Sequence, residues 1–456
     1  MSITLTNSGG SLNISPATLT DLPQCAQVPT QDDQLVNKLY VDNKTSDIDQ
    51  LNFSDYSDLY NPITSTINFD ISSNTTSVLN NDFIPLQYSP LSTGTDNIVN
   101  AVVSDLSGIL YAGGNFTFAG GNVILRLAKW NGTTWSQLGD GLGGGGGVDC
   151  LVVDGDNNLY AGGNFTSVGN RIAKWNGSVW STLGSGMNSS VRAVAFDTSG
   201  NLYAGGTFTT AGGDTANRVA KWDGTTWSAL GNGLSGGGQQ VLTLAIDGSN
   251  NLYVGGDFTT AGGVSASHIA KWDGSSWSNL GTGLNNIVNT LTVDTNNNLY
   301  VGGFFTTAGD VSANRVAKWN GSSWSALGTG LNSAPDALAI DTNNNLFAGG
   351  SFTTAGDVSA NYIAKWDGSS WSALGTGTNN NVRALDLDGS GNLYIGGDFT
   401  TAGTVNPANR VAKLTNLYDT VYTYVNSKYL YALEENQQIN VIVTKYGVPY
   451  TNGLLT

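Results

Sequence analysis

The tryptophans of this 456-residue chain all fall into six pairs, and the two members of each pair are five residues apart. The pairs are Trp130/Trp135, Trp175/Trp180, Trp222/Trp227, Trp272/Trp277, Trp319/Trp324 and Trp366/Trp371. Each pair brackets an Asn-Gly or Asp-Gly dipeptide, which is a strong short-range signal for a tight hairpin turn. The chain is therefore an array of one repeated unit, and its fold depends on how many units it contains.

A Gly-Gly pair recurs once in every unit, at seven positions separated by 43 to 50 residues. These pairs begin at Gly113, Gly162, Gly205, Gly255, Gly302, Gly349 and Gly396. Each unit contains four short runs rich in Val, Ile, Tyr, Phe and Trp, separated by clusters of Gly, Asn, Asp and Ser. Four antiparallel strands in a period of about 40 to 50 residues predict a β-propeller blade. We therefore predict an all-β, seven-bladed β-propeller of four-stranded blades; a sandwich or a solenoid explains the repetition less well.

The seventh unit lacks its fourth strand and its tryptophan pair. The missing piece precedes the first unit, where residues 88–94 align with residues 371–377 position for position, Tyr88 standing in the place of Trp371. Because an open ring would leave strand edges exposed, we predict that residues 85–94 complete the sheet built from residues 382–414. Pro90 suits an outermost strand, where one row of backbone groups faces solvent.

Composition limits the partners of the chain. Its net charge is −16, which argues against nucleic acid or an anionic membrane as the main partner. It has neither a basic segment followed by an apolar one at its start nor an apolar run of membrane-spanning length, so we expect no classical signal peptide and no membrane span. The two cysteines, Cys25 and Cys150, imply no disulfide scaffold. Cys150 aligns with Ala193 of the next unit, which predicts a packed free thiol.

The ends of the chain leave the repeat. We predict three regions: an anchoring or oligomerising region over 1–83, the propeller over 84–416, and a tyrosine-rich element over 417–456. Thr30 and Asp33 suit a helix start, and Leu35 with Leu39 would form one apolar stripe, so a short amphipathic helix is expected there. The C-terminal element is expected to contain a helix and then a strand over 439–443. It either packs under the propeller or contacts another subunit or virion protein.

Two resemblances bear on function. Pro29, Thr30, Leu35, Lys38, Tyr40, Val41 and Asp42 match a motif, Pro-Thr-x-x-x-x-Leu-x-x-Lys-x-Tyr-Val-Asp. This segment resembles phage tail fibres and virion proteins of giant DNA viruses, which implies a fibrous or anchoring part, often of a trimer. The repeat Leu-Tyr-x-Gly-Gly-x-Phe-Thr-x-Ala-Gly, followed by Ala-Lys-Trp-Asp-Gly and a second Trp, resembles kelch-type and related propeller repeats of bacterial surface and giant-virus proteins. That resemblance implies a fold, and a fold does not set a function.

The residues offer little catalytic apparatus. The single histidine, His268, excludes a multi-histidine metal centre within one chain and occupies a repeat position that is mostly arginine. A lysine in the third run and an aspartate ending the first run recur in all seven units, which predicts an intrablade ion pair or a capped turn. The acidic turn at Asp154 and Asp156 has the alternation of a calcium loop but lacks the distant bidentate carboxylate, so we expect a plain hairpin. We predict no enzyme activity, no metal and no cofactor.

Because strands alternate in direction, the long loops after the second and fourth strands share one face, and loops of this kind carry function. Two columns of the repeat on this face are the predicted binding rim. The column between Gly-Gly and Phe is Asn115, Asn164, Thr207, Asp257, Phe304, Ser351 and Asp398, and the column before the third strand is Arg126, Arg171, Arg218, His268, Arg315, Tyr362 and Arg410.

The leading hypothesis is a non-enzymatic virion or fibre-associated structural protein, on the virion surface or extracellular. Its propeller would mediate host attachment or contacts with other virion proteins, through a host glycan or surface protein. The N-terminal region would anchor the protein or form a homo-oligomer such as a trimer. The alternatives are a secreted or cell-surface lectin-like propeller and, behind it, a polysaccharide hydrolase or lyase.

Overall fold

The computed structural model describes residues 86–415 and several strands nearer the two ends of the chain. Contacts divide the chain into two compact units, Leu86–Leu417 and a second unit made of Met1–Pro85 with Tyr418–Thr456. Every regular element in the described residues is a β-strand. The described part therefore belongs to the all-β class.

In the second unit, Ser2–Ser8 is the middle strand of an antiparallel sheet between Ser11–Ala17 and Gln438–Ile442. The remaining strands form two short pairs: Thr66–Asn68 with Leu79–Asn80, and Thr444–Lys445 with Val448–Pro449. The strand predicted over 439–443 corresponds to Gln438–Ile442. The helices predicted near residues 30–42 and in the tyrosine-rich segment lie outside the described residues.

The unit Leu86–Leu417 contains seven four-stranded antiparallel sheets, numbered here sheet 1 to sheet 7 by their first strands. The first strands are Val99–Ser104, Val148–Val153, Val191–Phe196, Gln240–Ile246, Val288–Val293, Pro335–Ile340 and Val382–Leu387. The second strands are Leu110–Gly114, Leu159–Gly163, Leu202–Gly206, Leu252–Asp257, Leu299–Gly303, Leu346–Gly350 and Leu393–Gly397. The third strands are Leu127–Trp130, Ile172–Trp175, Val219–Trp222, Ile269–Trp272, Val316–Trp319, Ile363–Trp366 and Val411–Thr415. The fourth strands of sheets 1 to 6 are Trp135–Gln137, Trp180–Thr182, Trp227–Ala229, Trp277–Ser278, Trp324–Ala326 and Trp371–Ala373.

Most loops between second and third strands carry a two-stranded hairpin that the sequence pattern does not predict. These hairpins are Phe118–Ala119 with Asn122–Val123, Thr210–Ala211 with Asp214–Thr215, Thr260–Ala261 with Val264–Ser265, Thr307–Ala308 with Val311–Ser312, and Thr354–Ala355 with Val358–Ser359. Leu234–Ser235, from the loop after sheet 3, pairs with Thr260–Ala261. The long loops are therefore braced by backbone hydrogen bonds.

The fourth strand of sheet 7 comes from the start of the unit, as the sequence predicts. Gln87–Pro90 pairs antiparallel with Val411–Thr415, with Tyr88 opposite Leu414 and Pro90 opposite Ala412. A second link joins sheets 7 and 1 near their inner strands, where the backbone N–H of Ser104 donates to Asp386 Oδ2 at 2.7 Å. The chain thus joins its last sheet to its first without a covalent bond.

The tryptophans connect neighbouring sheets. Within each hairpin the two indole rings are 5.2 to 5.5 Å apart, centroid to centroid, and tilted. The second tryptophan of each pair donates its Nε1–H to a leucine carbonyl of the preceding sheet, as Trp227 does to Leu183 O at 2.9 Å. In sheet 7 the hydroxyl of Tyr88 takes this role and donates to Leu374 O at 2.8 Å. Trp135 in turn donates to Leu91 O, beside the closing strand. The same bond therefore recurs between all neighbouring sheets.

The Gly-Gly column marks close contact between sheets. A Cβ on the first glycine would lie about 2.5 Å from a side chain at the start of the next sheet's first strand: Gly255 would meet Val288 Cγ1 at 2.5 Å. The series closes on itself, because Gly396 in sheet 7 would meet Val99 Cγ1 of sheet 1 at 2.6 Å. Only glycine leaves room for these side chains, so this column sets how closely the sheets approach.

The turn after each first strand is capped by its aspartate. Asp247 Oδ1 accepts hydrogen bonds from the backbone N–H groups of Ser249 and Asn251, both at 2.9 Å. The predicted ion pair between the lysine and aspartate columns forms in sheets 2 and 5, at 3.8 Å in both Lys174–Asp154 and Lys318–Asp294. The aspartate column is Asp105, Asp154, Asp197, Asp247, Asp294, Asp341 and Asp388. Both columns therefore serve the blade architecture.

No helix in the described residues is long and apolar enough to cross a membrane.

Candidate functional site

The two faces of the ring of sheets differ in their loops. The turns after the first and third strands are short, while the loops after the second strand and those between sheets are longer and lie together on the other face, called here the loop face. Exposed aromatic side chains occur on the loop face, where Phe118 and Phe304 are 45% and 46% exposed. The opposite face also exposes apolar side chains, such as Leu106 at 82%, so exposure alone does not distinguish the two faces.

A β-bulge lies near the start of every first strand. In sheet 3 the register shifts between Val191 and Ala193, so Arg192 is an extra residue with no partner on the second strand. The same shift recurs in all seven sheets. Bulges redirect a side chain and disrupt the local ladder. The bulged residues, called here the channel ring, are Asn100, Asp149, Arg192, Leu242, Asn289, Asp336 and Arg383.

The first strands of all seven sheets line one cavity of about 240 Å³. Five members of the channel ring border it: Asp149, Arg192, Leu242, Asn289 and Asp336. Behind them lie the next two residues of the first strands, which are small or apolar, such as Ala193 and Val194. The cavity therefore has a polar and charged ring backed by small and apolar residues.

The channel ring breaks the symmetry that the rest of the repeat keeps. Read in chain order it contains Asn, Asp and Arg in sheets 1 to 3, Leu242 in sheet 4, and again Asn, Asp and Arg in sheets 5 to 7. The two Asn-Asp-Arg arcs make equivalent contacts at their asparagines. Asn100 Nδ2 donates to Val148 O at 3.3 Å, and Asn289 Nδ2 donates to Pro335 O at 3.4 Å.

The aspartates of the two arcs have similar environments. Burial raises the pKa of Asp149, and the nearby Arg192 guanidinium opposes that shift. Burial likewise raises the pKa of Asp336, opposed by Arg383 and by a hydrogen bond from Asn289. Both carboxylates are thus partly buried. Charge interactions at such a position are stronger than at the open surface.

The arginines of the two arcs differ. Arg383 makes a bidentate pair with Asp398 of its own sheet, with Nε to Oδ1 and Nη2 to Oδ2 both at 2.9 Å. Arg192 is exposed, and within the described residues it makes no hydrogen bond to any protein group. The residue that corresponds to Asp398 in its sheet is Thr207, whose hydroxyl instead lies 2.9 Å from Ser189 Oγ.

The two predicted rim columns meet on the loop face. Arg218 Nη1 donates to Thr207 O at 3.4 Å, Arg315 Nη1 donates to Phe304 O, and His268 Nδ1 lies 3.9 Å from Asp257 Oδ1. The column before the third strand adopts positive φ in all seven sheets, from 62° at His268 to 74° at Arg171. Its side chains largely contact backbone: Arg126 donates to Gly145 O at 2.7 Å, in the loop between two sheets. These contacts support a bracing role, and ligand binding by this column stays a prediction.

Cys150 is a free thiol beside the same cavity. Its Sγ lies 3.9 Å from Val191 O, and burial raises the pKa of the thiol. The packed thiol predicted from the alignment with Ala193 agrees with this environment. Among residues 86–415 no group of three His, Cys, Asp or Glu side chains could hold a metal ion. The Asp154 turn is a hairpin whose Oδ1 accepts from the N–H groups of Asp156 and Asn158.

Sequence reasoning missed the channel ring. Its signal was present, because the bulged residue varies in charge while the residue before it is valine in six of the seven sheets. The strand pattern in the sequence gives no reason to single out these residues. In a regular antiparallel pair each of them would face a partner on the second strand. The bulge, which changes where the side chain points, becomes visible only in the paired sheet.

Comparison with known proteins supports the fold. The family model of the Rax2 C-terminal beta propeller domain matches residues 232–388, less than half of the chain. The comparison with curated proteins gave no match.

The chain is also similar to solved structures. The extracellular domain of BT4673 from B. thetaiotaomicron is 14% identical with a TM-score of 0.50, over 73% of this chain and 40% of that chain. This chain therefore spans well under half of that protein's length. The WD40 beta propeller domain of Doa1 is 13% identical with a TM-score of 0.49, over 74% of this chain and 99% of that chain. A catalytically inactive virginiamycin B lyase from Staphylococcus aureus is 12% identical with a TM-score of 0.47, over 72% and 99%. At such identities the first of these likenesses concerns the fold alone, and the described unit is a β-propeller.

Proposed function

We propose that this chain is a non-enzymatic binding protein whose seven sheets are the seven blades of one closed propeller, with the ligand on the loop face. The observation that carries the proposal is the channel ring. Blade architecture repeats in every sheet, whereas the ring varies from Asn and Asp to Arg and Leu around one cavity. A column that only braced the fold would be expected to repeat as the tryptophan and aspartate columns do.

We propose that the setting is a virion or fibre surface. The support is the segment over residues 29–42, which resembles anchoring parts of phage tail fibres and giant-virus virion proteins. In this proposal the region 1–83 anchors or oligomerises the protein, and the propeller contacts a host glycan, a host protein or another virion protein. The net charge of −16 favours a soluble, mutually repelling head.

A secreted or cell-surface lectin-like module is the second candidate. It is favoured by the exposed ring of Phe304 at the loop face, since aromatic rings stack on the apolar faces of sugars. Both candidates place the ligand on the same face. They differ in where the protein resides, which mass spectrometry of purified particles and of cell surfaces would decide.

The binding face can be tested with two exposed apolar residues on opposite faces. Phe304 lies on the loop face, and Leu106, 82% exposed, lies in the short turn after the first strand of sheet 1. We expect Phe304→Ala to weaken binding of the full chain to a glycan array or to host cells, and Leu106→Ala to leave it unchanged. Equal effects of the two variants would contradict a loop-face site. Release of products from a polysaccharide would contradict the non-enzymatic assignment.

A further inference from the structure

The two Asn-Asp-Arg arcs of the channel ring provide an internal comparison. Arg192 and Arg383 occupy the same bulged position, and each is followed fifteen residues later by the residue directly after its second strand, Thr207 or Asp398. The backbone places these two residues alike: Thr207 N donates to Ser190 O at 3.0 Å, and Asp398 N donates to Asn381 O at 2.9 Å. At this equivalent position sheet 3 therefore has a threonine where sheet 7 has an aspartate.

That difference determines what each guanidinium binds. In sheet 7 the carboxylate of Asp398 occupies the side of Arg383 formed by Nε and Nη2, both contacts being 2.9 Å. In sheet 3 the Thr207 side chain ends in a hydroxyl that turns to Ser189. No carboxylate lies within 4 Å of the Arg192 guanidinium in the described residues, so its planar fork is open.

We infer that Arg192 is a binding site for the carboxylate of an acidic sugar, such as a hexuronate, seated in the cavity of the channel ring. The ligand carboxylate would take the place that Asp398 takes on Arg383. Arg is suited to this role because its guanidinium presents two parallel N–H donors to a carboxylate. The inference rests on the proposed function and names the ligand class of that site.

The surroundings favour a sugar over a peptide terminus. Next to Arg192 the cavity is bordered by Leu242, which offers an apolar surface to a sugar ring, and by Asp149. Asn289 and Asp336 also border the cavity, and their short polar groups can hydrogen-bond to hydroxyls. The volume of about 240 Å³ leaves room for no more than one small ring. A peptide would need side-chain pockets or a free strand edge, and the first strands that form this wall are paired within their sheets.

Asp149 limits the strength of the site, since its charge competes for Arg192. Its carboxylate lies more than 4 Å from the Arg192 guanidinium, so the two form no ion pair. It is still close enough for the Arg192 charge to lower the pKa of Asp149, against the larger rise caused by burial. The same relation holds between Asp336 and Arg383, which binds a carboxylate nonetheless. The partner aspartate is therefore compatible with carboxylate binding to the neighbouring arginine.

The test is isothermal titration of the full chain with D-glucuronate, with D-glucose as the neutral sugar and N-acetylalanine as the peptide-type carboxylate. We expect one glucuronate per chain and at least about tenfold weaker binding of the other two, since each lacks part of the recognition. Absence of glucuronate binding would overturn the inference. Equal binding of N-acetylalanine would overturn its assignment to a sugar.

Three variants test the geometry. Thr207→Asp copies the arrangement of sheet 7 and should weaken glucuronate binding at least about tenfold while the fold persists, because the protein's own carboxylate then occupies Arg192. Arg192→Leu, which copies Leu242, should have the same effect. Asp398→Thr frees Arg383, which does not border the cavity, and should leave the stoichiometry at one glucuronate per chain. Unchanged affinity in the first two variants, or a second bound glucuronate in the third, would refute the inference.

The outcome separates this inference from the proposed function. If Phe304→Ala abolishes binding to cells or to the array but Thr207→Asp does not alter it, the loop-face function stands and the carboxylate site is wrong. If neither loop-face change affects binding while Leu106→Ala does, the proposed function itself fails.

Discussion

Among the residues of the closing strand Gln87–Pro90, Tyr88 should contribute most to the free energy of unfolding of the ring. Its side chain is 7% exposed, and its hydroxyl donates to Leu374 O across 286 positions of sequence. Tyr88→Phe keeps the ring and leaves the buried carbonyl of Leu374 without its donor, which costs about 1–3 kcal/mol. Tyr88→Ala also removes an aromatic ring that packs on Gly403, and a core aromatic truncated to alanine costs about 3–5 kcal/mol.

The assay is urea unfolding followed by tryptophan fluorescence, together with amide hydrogen exchange at residues 411–415. Because Gln87–Pro90 pairs with Val411–Thr415, loss of the closing strand should increase exchange there first. Gln87→Ala is the matched control, since its side chain lies on the same strand and is exposed. Tyr88→Trp copies the six repeats and should retain an N–H donor at this position.

The order of the effects decides the question. We expect the loss of unfolding free energy to be smallest for Gln87→Ala, intermediate for Tyr88→Phe and largest for Tyr88→Ala. If Tyr88→Phe matched Gln87→Ala in unfolding midpoint and in exchange, the inter-sheet hydrogen bond would contribute nothing and the account of closure would be wrong. Faster exchange spread evenly over all sheets would refute the local opening.

Two other predictions concern packing and pH. Gly255→Ala should destabilise the protein by about 1–3 kcal/mol, because its Cβ would meet Val288 Cγ1 at 2.5 Å, whereas Gly389→Ala, which meets nothing within 4 Å, should change the urea midpoint little. Burial, reinforced by Asp247, raises the pKa of Tyr253 to about 12, above its value of about 10 in an unfolded chain. The contribution of the neutral Tyr253 side chain to the free energy of unfolding is therefore complete below about pH 10. It is lost as the pH rises through 12, by up to about 1.4 kcal/mol per pH unit. Tyr253→Phe, which copies Phe347 of sheet 6, should lose less stability than the native chain between these pH values in urea titrations; an identical loss would contradict the assignment.

Much of the fold could be predicted from the chain because the repeat is encoded locally. Turn dipeptides between paired tryptophans place the hairpins, and the alignment of Tyr88 with Trp371 predicts which strand completes sheet 7. These signals depend on neighbours in sequence and on a period shared by every unit. The hairpins within the long loops were not predicted, since their two-residue strands are too short to show alternation.

Only the tertiary structure decided the rest. The glycine columns are required by side chains of the next sheet, and the tryptophan N–H groups by carbonyls of the preceding one. The contrast between Arg192 and Arg383 depends on a bulge and on a residue of another strand, Thr207 or Asp398. Local pattern determines strands and turns because their interactions are close in sequence. Which guanidinium is open to a ligand is determined by non-local contacts, and no single repeat contains that information.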